Sequence, residues 1–183
     1  MNKKLTFITS NQRKADQLQR HLDFPIDHKK IDLIEIQSLD LEEIVKYKAM
    51  EAYKHIESPV LVEDTSLTFE ALGRLPGPLI KWFLHELGNE GLCKLLDGFK
   101  NRMAFAEVCF GFYDGKKLKV IRNGMKGIIA IKPRGEIGFG WDPIFIPEGY
   151  SKTWSEMSDE EQKSSSIRRG SLKNLEEFLN ERF

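Results

Sequence analysis

The chain has 183 residues and carries 28 Lys+Arg against 28 Asp+Glu, a formal net charge of zero. That balance excludes bulk attraction to nucleic acid or to an anionic membrane, so any anion binding has to be local. The length suits one domain with a sizeable core. Cys93 and Cys109 have no CxxC spacing and no histidine pair nearby, and read as reduced core residues of a cytoplasmic protein. The start, MNKKLTFITSN, turns polar too early for a signal peptide, and no run approaches membrane-spanning length. The expected setting is the cytoplasm, with neither a nucleic-acid nor a membrane partner.

LTFIT (5–9) predicts a short strand, SNQRK a polar turn, and the spacing of Ala15, Leu18 and Leu22 a helix. Val45, Ala49, Ala52 and Ile56 form a helical stripe, which predicts a second helix at about 42–57. Val60, Leu61 and Val62 predict a buried strand that ends in two acids, Glu63 and Asp64. After the GRLPGP turn (73–78) come two short helical stretches, LIKWFLHEL and EGLCKLLDGF, separated by Gly88 and Asn89. From Met103 the pattern becomes β, with Asp114-Gly115 as a hairpin turn and a mostly antiparallel meander running into KGIIAIKP. A glycine-rich and aromatic loop then leads into a short PIFIP strand. Leu172, Leu175, Phe178 and Leu179 mark the final helix. The residues alone predict one compact α/β body with an elongated mixed sheet.

Four constellations could carry chemistry. Thr9, Ser10, Asn11 and Lys14 lie where a strand gives way to a helix, where free N–H groups attract phosphate; simple N-capping by Ser10 or Asn11 is the competing explanation and the better one for that turn taken alone. Glu35 and the Glu63-Asp64 pair follow apolar runs and offer carboxylates to a hard cation such as Mg²⁺, or else are solvated loop acids. In FGWDP, Phe139, Gly140, Trp141 and Asp142 could stack a planar ring and accept its hydrogen bonds, or Phe139 and Trp141 could simply close the core. Lys48, Lys81, Lys163, Arg168 and Arg169 are scattered cations whose interest is collective. With the acids and the aromatic loop they complete the inventory for a nucleoside triphosphate.

These motifs, in this order, resemble the inosine triphosphate pyrophosphatases, also called non-standard purine NTP pyrophosphatases. TSNQRK, IDLIE, VLVEDTSL, LPGPLIKWFL and FGWDPIFIPEGYSKTWSEM each match a family segment. The resemblance implies an α/β (α+β) fold in which a long bent mixed β-sheet with flanking helices forms two lobes around a central cleft, a single domain over 1–183 that usually pairs as a homodimer. It also implies attack of water on the α-phosphorus of ITP, dITP or XTP, giving the monophosphate and pyrophosphate, with Mg²⁺ as cofactor. Carried over, Thr9 to Lys14 grip phosphate, with Lys14 and Asp64 at the chemistry, and Glu35 and Asp64 hold Mg²⁺. Lys48 and Lys81 contact phosphates, and Thr65 and Lys163 join the substrate contacts. Phe139, Gly140, Trp141 and Asp142 bracket the base, and Ser166 to Arg168 close its edge.

The family's C-terminal motif reads E-K-N-x-x-S-H-R, and the ungapped match here runs from Glu161 to Arg168. Gln162 stands at the lysine and Ile167 at the histidine. A shift of one residue would give Lys163 the phosphate role, whereas no shift recovers the histidine. Hydrolysis with weakened or altered purine selectivity is therefore expected. The alternative is a nucleotide-binding or sensing module with little or no turnover.

Overall fold

The computed structural model describes residues 4–136, 138 and 140–182; Phe139, singled out above, lies outside the described residues. The chain divides into two units. The first comprises Met1–Asp64, Val108–Asn123 and Gly170–Phe183, and the second Thr65–Glu107 and Gly124–Arg169.

In the first unit, β1 (Leu5–Ile8) is buried at every position, the signature of a strand flanked on both edges and covered on both faces. It pairs in parallel with β2 (Ile26–Lys29) and with β3 (Val60–Phe69). Between β1 and β2 the chain crosses through α1 (Gln12–His21), which buries Ala15 and Leu18. Helix α2 (Leu41–Ile56) starts at Asp40, whose carboxylate accepts the Glu42 N–H. Its expected stripe is the packing face: Val45, Ala49 and Ala52 are fully buried against Ile8, Val60, Val62 and Cys109. Each large side chain so placed contributes roughly 1.5–3 kcal/mol, so packing rather than propensity holds the helix. The approach is close at Gly111, where a Cβ would lie 2.5 Å from Val45 Cγ1. The stretch 30–40 that carries Glu35 has no regular structure.

The second unit holds β4 (Pro76–Gly77), antiparallel to the far end of β3, and α3 (Ile80–Lys94), kinked at Gly88 with φ 64° and ψ 179°. Gly88 is not helical, so the segment is two short helical stretches, one on each side of it, as expected. The unit also holds β7 (Phe145–Pro147), antiparallel to β6, and the six-residue helix α4 (Asp159–Ser164). Strands β5 (Met103–Tyr113) and β6 (Leu118–Ile129) run continuously and contribute to both units. Helix α5 (Arg168–Arg182) supplies the buried residues Leu172, Leu175 and Leu179. The described residues form one mixed sheet of seven strands in the order β2-β1-β3-β5-β6-β7, with β4 added to β3.

One expectation is overturned. The strand does not stop at Glu63 and Asp64: β3 continues through them to Phe69, with Ser66, Leu67 and Phe69 buried. Of the residues after the acids, TSLTF, all but Ser66 are β-branched or apolar, and they keep the chain extended. No helix among the described residues is long and apolar enough to cross a membrane.

Candidate functional site

In the first unit, the turn after β1 is tied down by its own side chains. Thr9 Oγ1 accepts the Asn11 N–H at 3.1 Å, and Asn11 Oδ1 accepts the N–H groups of Arg13 and Lys14 at 3.1 and 3.3 Å. His28 Nε2 lies 2.9 Å from the Thr9 carbonyl. Asn11 is thus the N-cap, and Ser10 stays exposed. The cap starts α1 so that Lys14, one turn in, reaches back toward β3.

There Lys14 Nζ lies 3.5 Å from Glu63 Oε1 and 3.7 Å from Asp64 Oδ1, with 11% of the lysine side chain and 1% of the Glu63 side chain exposed. Lys48, on α2, enters the same carboxylate group from another element. Its Nζ is 2.5 Å from Glu35 Oε1 and 3.2 Å from Asp64 Oδ2. Burial alone would depress the Lys48 pKa, but the charges of Asp64 and Glu35 outweigh it and hold the group above the ordinary lysine value. Lys48 is therefore a full cation at neutral pH. Four expected residues, Lys14, Glu35, Lys48 and Asp64, meet here, and Glu63 joins them. The sequence offered Glu63 only as one of the carboxylates for a hard cation or as a solvated loop acid, and the resemblance carried no role to it; its pairing with Lys14 was not foreseen.

This donor set fits a hard divalent cation. Two carboxylates from different segments lie within reach of one nitrogen, and Mg²⁺ is commonly held by one or two carboxylates together with waters and substrate phosphates. The described residues contain no group of three or more His, Cys, Asp or Glu placed to cage a metal alone. Waters or a ligand would complete the coordination of a cation held here.

In the second unit, Trp141 belongs to an aromatic trio. Its ring centroid is 5.7 Å from Phe145 and 5.5 Å from Trp154, and Phe145 and Trp154 are 4.7 Å apart. Trp141 is nevertheless only half-buried, while the other two are buried. Gly140 adopts φ 62°, a conformation that L side chains rarely take, and its carbonyl accepts from Asn89 Nδ2 at 2.9 Å. Asp142 is half-buried next in the chain. Two polar atoms against this loop, Asn89 Oδ1 and Ser155 Oγ, are buried without a hydrogen-bond partner among the described residues. Neither residue was singled out in the sequence, since Asn89 read as a helix breaker.

The C-terminal motif is anchored to the same trio. Trp154 Nε1 donates to Ser165 Oγ at 3.0 Å, and Gln162 Nε2 donates to the carbonyls of Trp154 and Met157 at 2.8 and 3.3 Å. Gln162 thus holds a chain bend. Ile167 is 2% exposed, so the apolar residue at the family's histidine position is sequestered in the core. Ser166 Oγ accepts the Arg168 N–H at 3.2 Å at the start of α5. Ser166 and Arg168 are half-buried, and Lys163 is exposed on α4. Lys81 is exposed on α3, with its Nζ 5.6 Å from the Trp82 ring centre. Thr65 is half-buried on β3. A cavity of about 640 Å³ in this unit is lined by Lys100, Met103, Ile128, Ile131, Lys132 and neighbours; none of the expected residues lines it.

The model of the Ham1 family matches residues 5–178. Inosine triphosphate pyrophosphatase 2 of Trypanosoma cruzi (strain CL Brener) is 45% identical over 175 residues, covering 93% of this chain and 89% of that protein. Inosine triphosphate pyrophosphatase 1 of the same organism is 43% identical over 175 residues with the same coverage. The solved structure of the Staphylococcus aureus Ham1 protein superposes with a TM-score of 0.85 at 27% identity, covering 98% of this chain and 100% of that one. The expected α/β fold, one mixed sheet with flanking helices, is borne out. This chain belongs to the Ham1 family.

Proposed function

We propose that this protein hydrolyses non-standard purine nucleoside triphosphates, ITP, dITP and XTP, to the monophosphate and pyrophosphate. One observation carries the reading. Asp64 stands between two lysine ammonium groups, Lys14 and Lys48, and shares Lys48 with Glu35. The inosine triphosphate pyrophosphatases of Trypanosoma cruzi, at 45% and 43% identity, supply the substrate class.

Water attacks the α-phosphorus, the bond to the bridging oxygen breaks, and pyrophosphate leaves with the electron pair. Asp64 orients the water and takes its proton. Lys14 and Lys48, with Lys81 and the Thr9 to Asn11 turn, bind the phosphates and offset the charge that grows on the leaving group. Glu35 and Asp64 would hold Mg²⁺, which when bound supplies further charge neutralisation on the phosphate oxygens. Trp141 offers the base a ring set firmly against Phe145 and Trp154, and Asp142, Ser166 and Arg168 offer polar contacts at its edge. No covalent intermediate is needed. The family resemblance carries with it a cytoplasmic homodimer.

The base-recognition residues favour an altered selectivity. Gln162 already donates to two carbonyls, and Ile167 can donate nothing to a purine oxygen. A site that lacks one base-edge hydrogen bond discriminates less, because the rival base leaves fewer buried groups unpaired. Pyrophosphate release with Mg²⁺ across a panel of ITP, XTP, ATP and GTP tests both parts. The expected outcome is turnover of ITP that falls by roughly 100-fold or more in Asp64→Asn, with a modest preference over ATP and GTP. Absence of pyrophosphate release from every triphosphate would leave the nucleotide-binding module as the correct reading.

A further inference from the structure

We propose that the Lys48 ammonium is the resident counter-ion of the Glu35 and Asp64 carboxylates, and that it yields this position when a divalent cation arrives with a polyphosphate. The inference rests on the metal site proposed above and adds a coupling between metal and nucleotide. Lys48 Nζ is within hydrogen-bond distance of both carboxylates, at 2.5 and 3.2 Å. A cation shared by these two groups would need oxygen contacts of about 2.0–2.1 Å in the case of Mg²⁺, so it would claim the space and the charge that the ammonium now claims. At the two oxygens that Lys48 now holds, Glu35 Oε1 and Asp64 Oδ2, the two cations exclude each other. Only 13% of the Lys48 side chain is exposed, and repulsion at such a site is screened less than on the surface.

Around the site, three carboxylates (Glu35, Glu63 and Asp64) face two ammonium groups (Lys14 and Lys48). Among these five described side chains the carboxylates outnumber the ammonium groups by one, a weak lure for a bare divalent ion. An incoming polyphosphate changes this. It gives Lys48 another anion to follow, which a flexible four-carbon stem permits, and it exposes both carboxylates to the metal. Metal and polyphosphate then strengthen each other's binding, as reciprocal linkage requires. Without polyphosphate the metal should bind poorly.

The test is titration of the full chain with MgCl₂ or MnCl₂, without nucleotide, by calorimetry. Lys48→Met and Lys48→Gln remove the ammonium, the second keeping a side chain that can still donate to both carboxylates. Both are expected to bind the bare metal at least tenfold more tightly than the wild type, and MgCl₂ is expected to raise their melting temperatures by more degrees. Equal or weaker metal affinity in the folded Lys48→Gln chain would overturn the proposal. Adding Glu35→Gln to Lys48→Gln separates the two layers. If tight binding persists there, the metal does not use these carboxylates and the underlying reading fails. If the wild type already binds the bare metal tightly and Glu35→Gln alone abolishes it, the metal site stands and the counter-ion role falls.

Discussion

Glu63 and Asp64 are neighbours on β3, where successive side chains leave opposite faces, yet both lie within 3.7 Å of Lys14 Nζ. Lys14 therefore binds two consecutive carboxylates, one of them almost wholly buried. Removing one partner of a buried pair leaves an uncompensated charge, which costs about 3–5 kcal/mol. Glu63→Gln is expected to destabilise the protein by about 3 kcal/mol, the lower end of that range, because Asp64 remains beside the same nitrogen. Lys14→Met in the same chain should recover part of the loss, and urea unfolding of the single and double variants measures both. A Glu63→Gln chain as stable as the wild type would show that the pair contributes nothing. Much of the site was legible as residue types: carboxylates after apolar runs and a lysine one turn into a helix are chemistry that a sequence displays. The partnering was not. Lys48 reaches Glu35 and Asp64 from a helix whose other lysines are ordinary surface residues, and spacing does not say which of them turns inward. The pairing of Glu63 with Lys14 was hidden by reading a strand's polar residues as its end.

Among the elements, the β5–β6 turn and α5 share one carboxylate. Asp114 Oδ1 accepts the N–H groups of Lys116 and Lys117 at 3.0 and 2.8 Å, and Oδ2 pairs with Arg182. Phe178 stacks edge-on against Phe112 with centroids 5.1 Å apart, and Lys117 Nζ lies 5.2 Å from the Phe178 ring centre. Burial raises the Asp114 pKa, but the Lys117 N–H, the Arg182 guanidinium and the Lys116 N–H outweigh it and bring it from 3.8 down to about 2. The folded state thus releases this proton more readily than the unfolded chain. The stabilisation is complete above pH 3.8 and is lost as the pH falls toward 2. Asp114→Asn should therefore be less stable than the wild type at neutral pH, with a gap that closes across that acid window. Denaturant unfolding at a series of pH values measures it, and a gap independent of pH would refute the assignment. The hairpin and both long helices were readable because turn chemistry and a 3.6-residue period are local signals. The break in 80–94 was readable too, since Gly88, which takes φ 64° and ψ 179°, interrupts the helical period. The tie between Asp114 and Arg182 joins residues 68 positions apart and leaves no local pattern.

For the molecule as a whole, each unit carries one buried thiol. Cys109 is fully buried in the first unit, and Cys93 is 1% exposed in the second, its pKa pushed up to about 11 by burial. Neither is expected to react with a thiol reagent in the native state, since the reactive species is an exposed thiolate. With Cys93→Ala and Cys109→Ala chains, labelling against denaturant should report the opening of each unit separately; prompt labelling of either thiol in native buffer would contradict the burial described. The whole-molecule arrangement was the least legible part of the sequence, because the division of the chain follows neither composition nor linkers. The first unit takes residues from three separated stretches, ending in α5. Consider that during synthesis. Strand β1 and the carboxylates of β3 leave the ribosome early, but the partners that complete their unit, β5, β6 and then α5, come last. At rates of roughly 5–20 residues per second the wait is on the order of ten seconds. For that interval the apolar faces of β1 and α2 lack their final cover, so the nascent N-terminal region is where a chaperone would have most to protect.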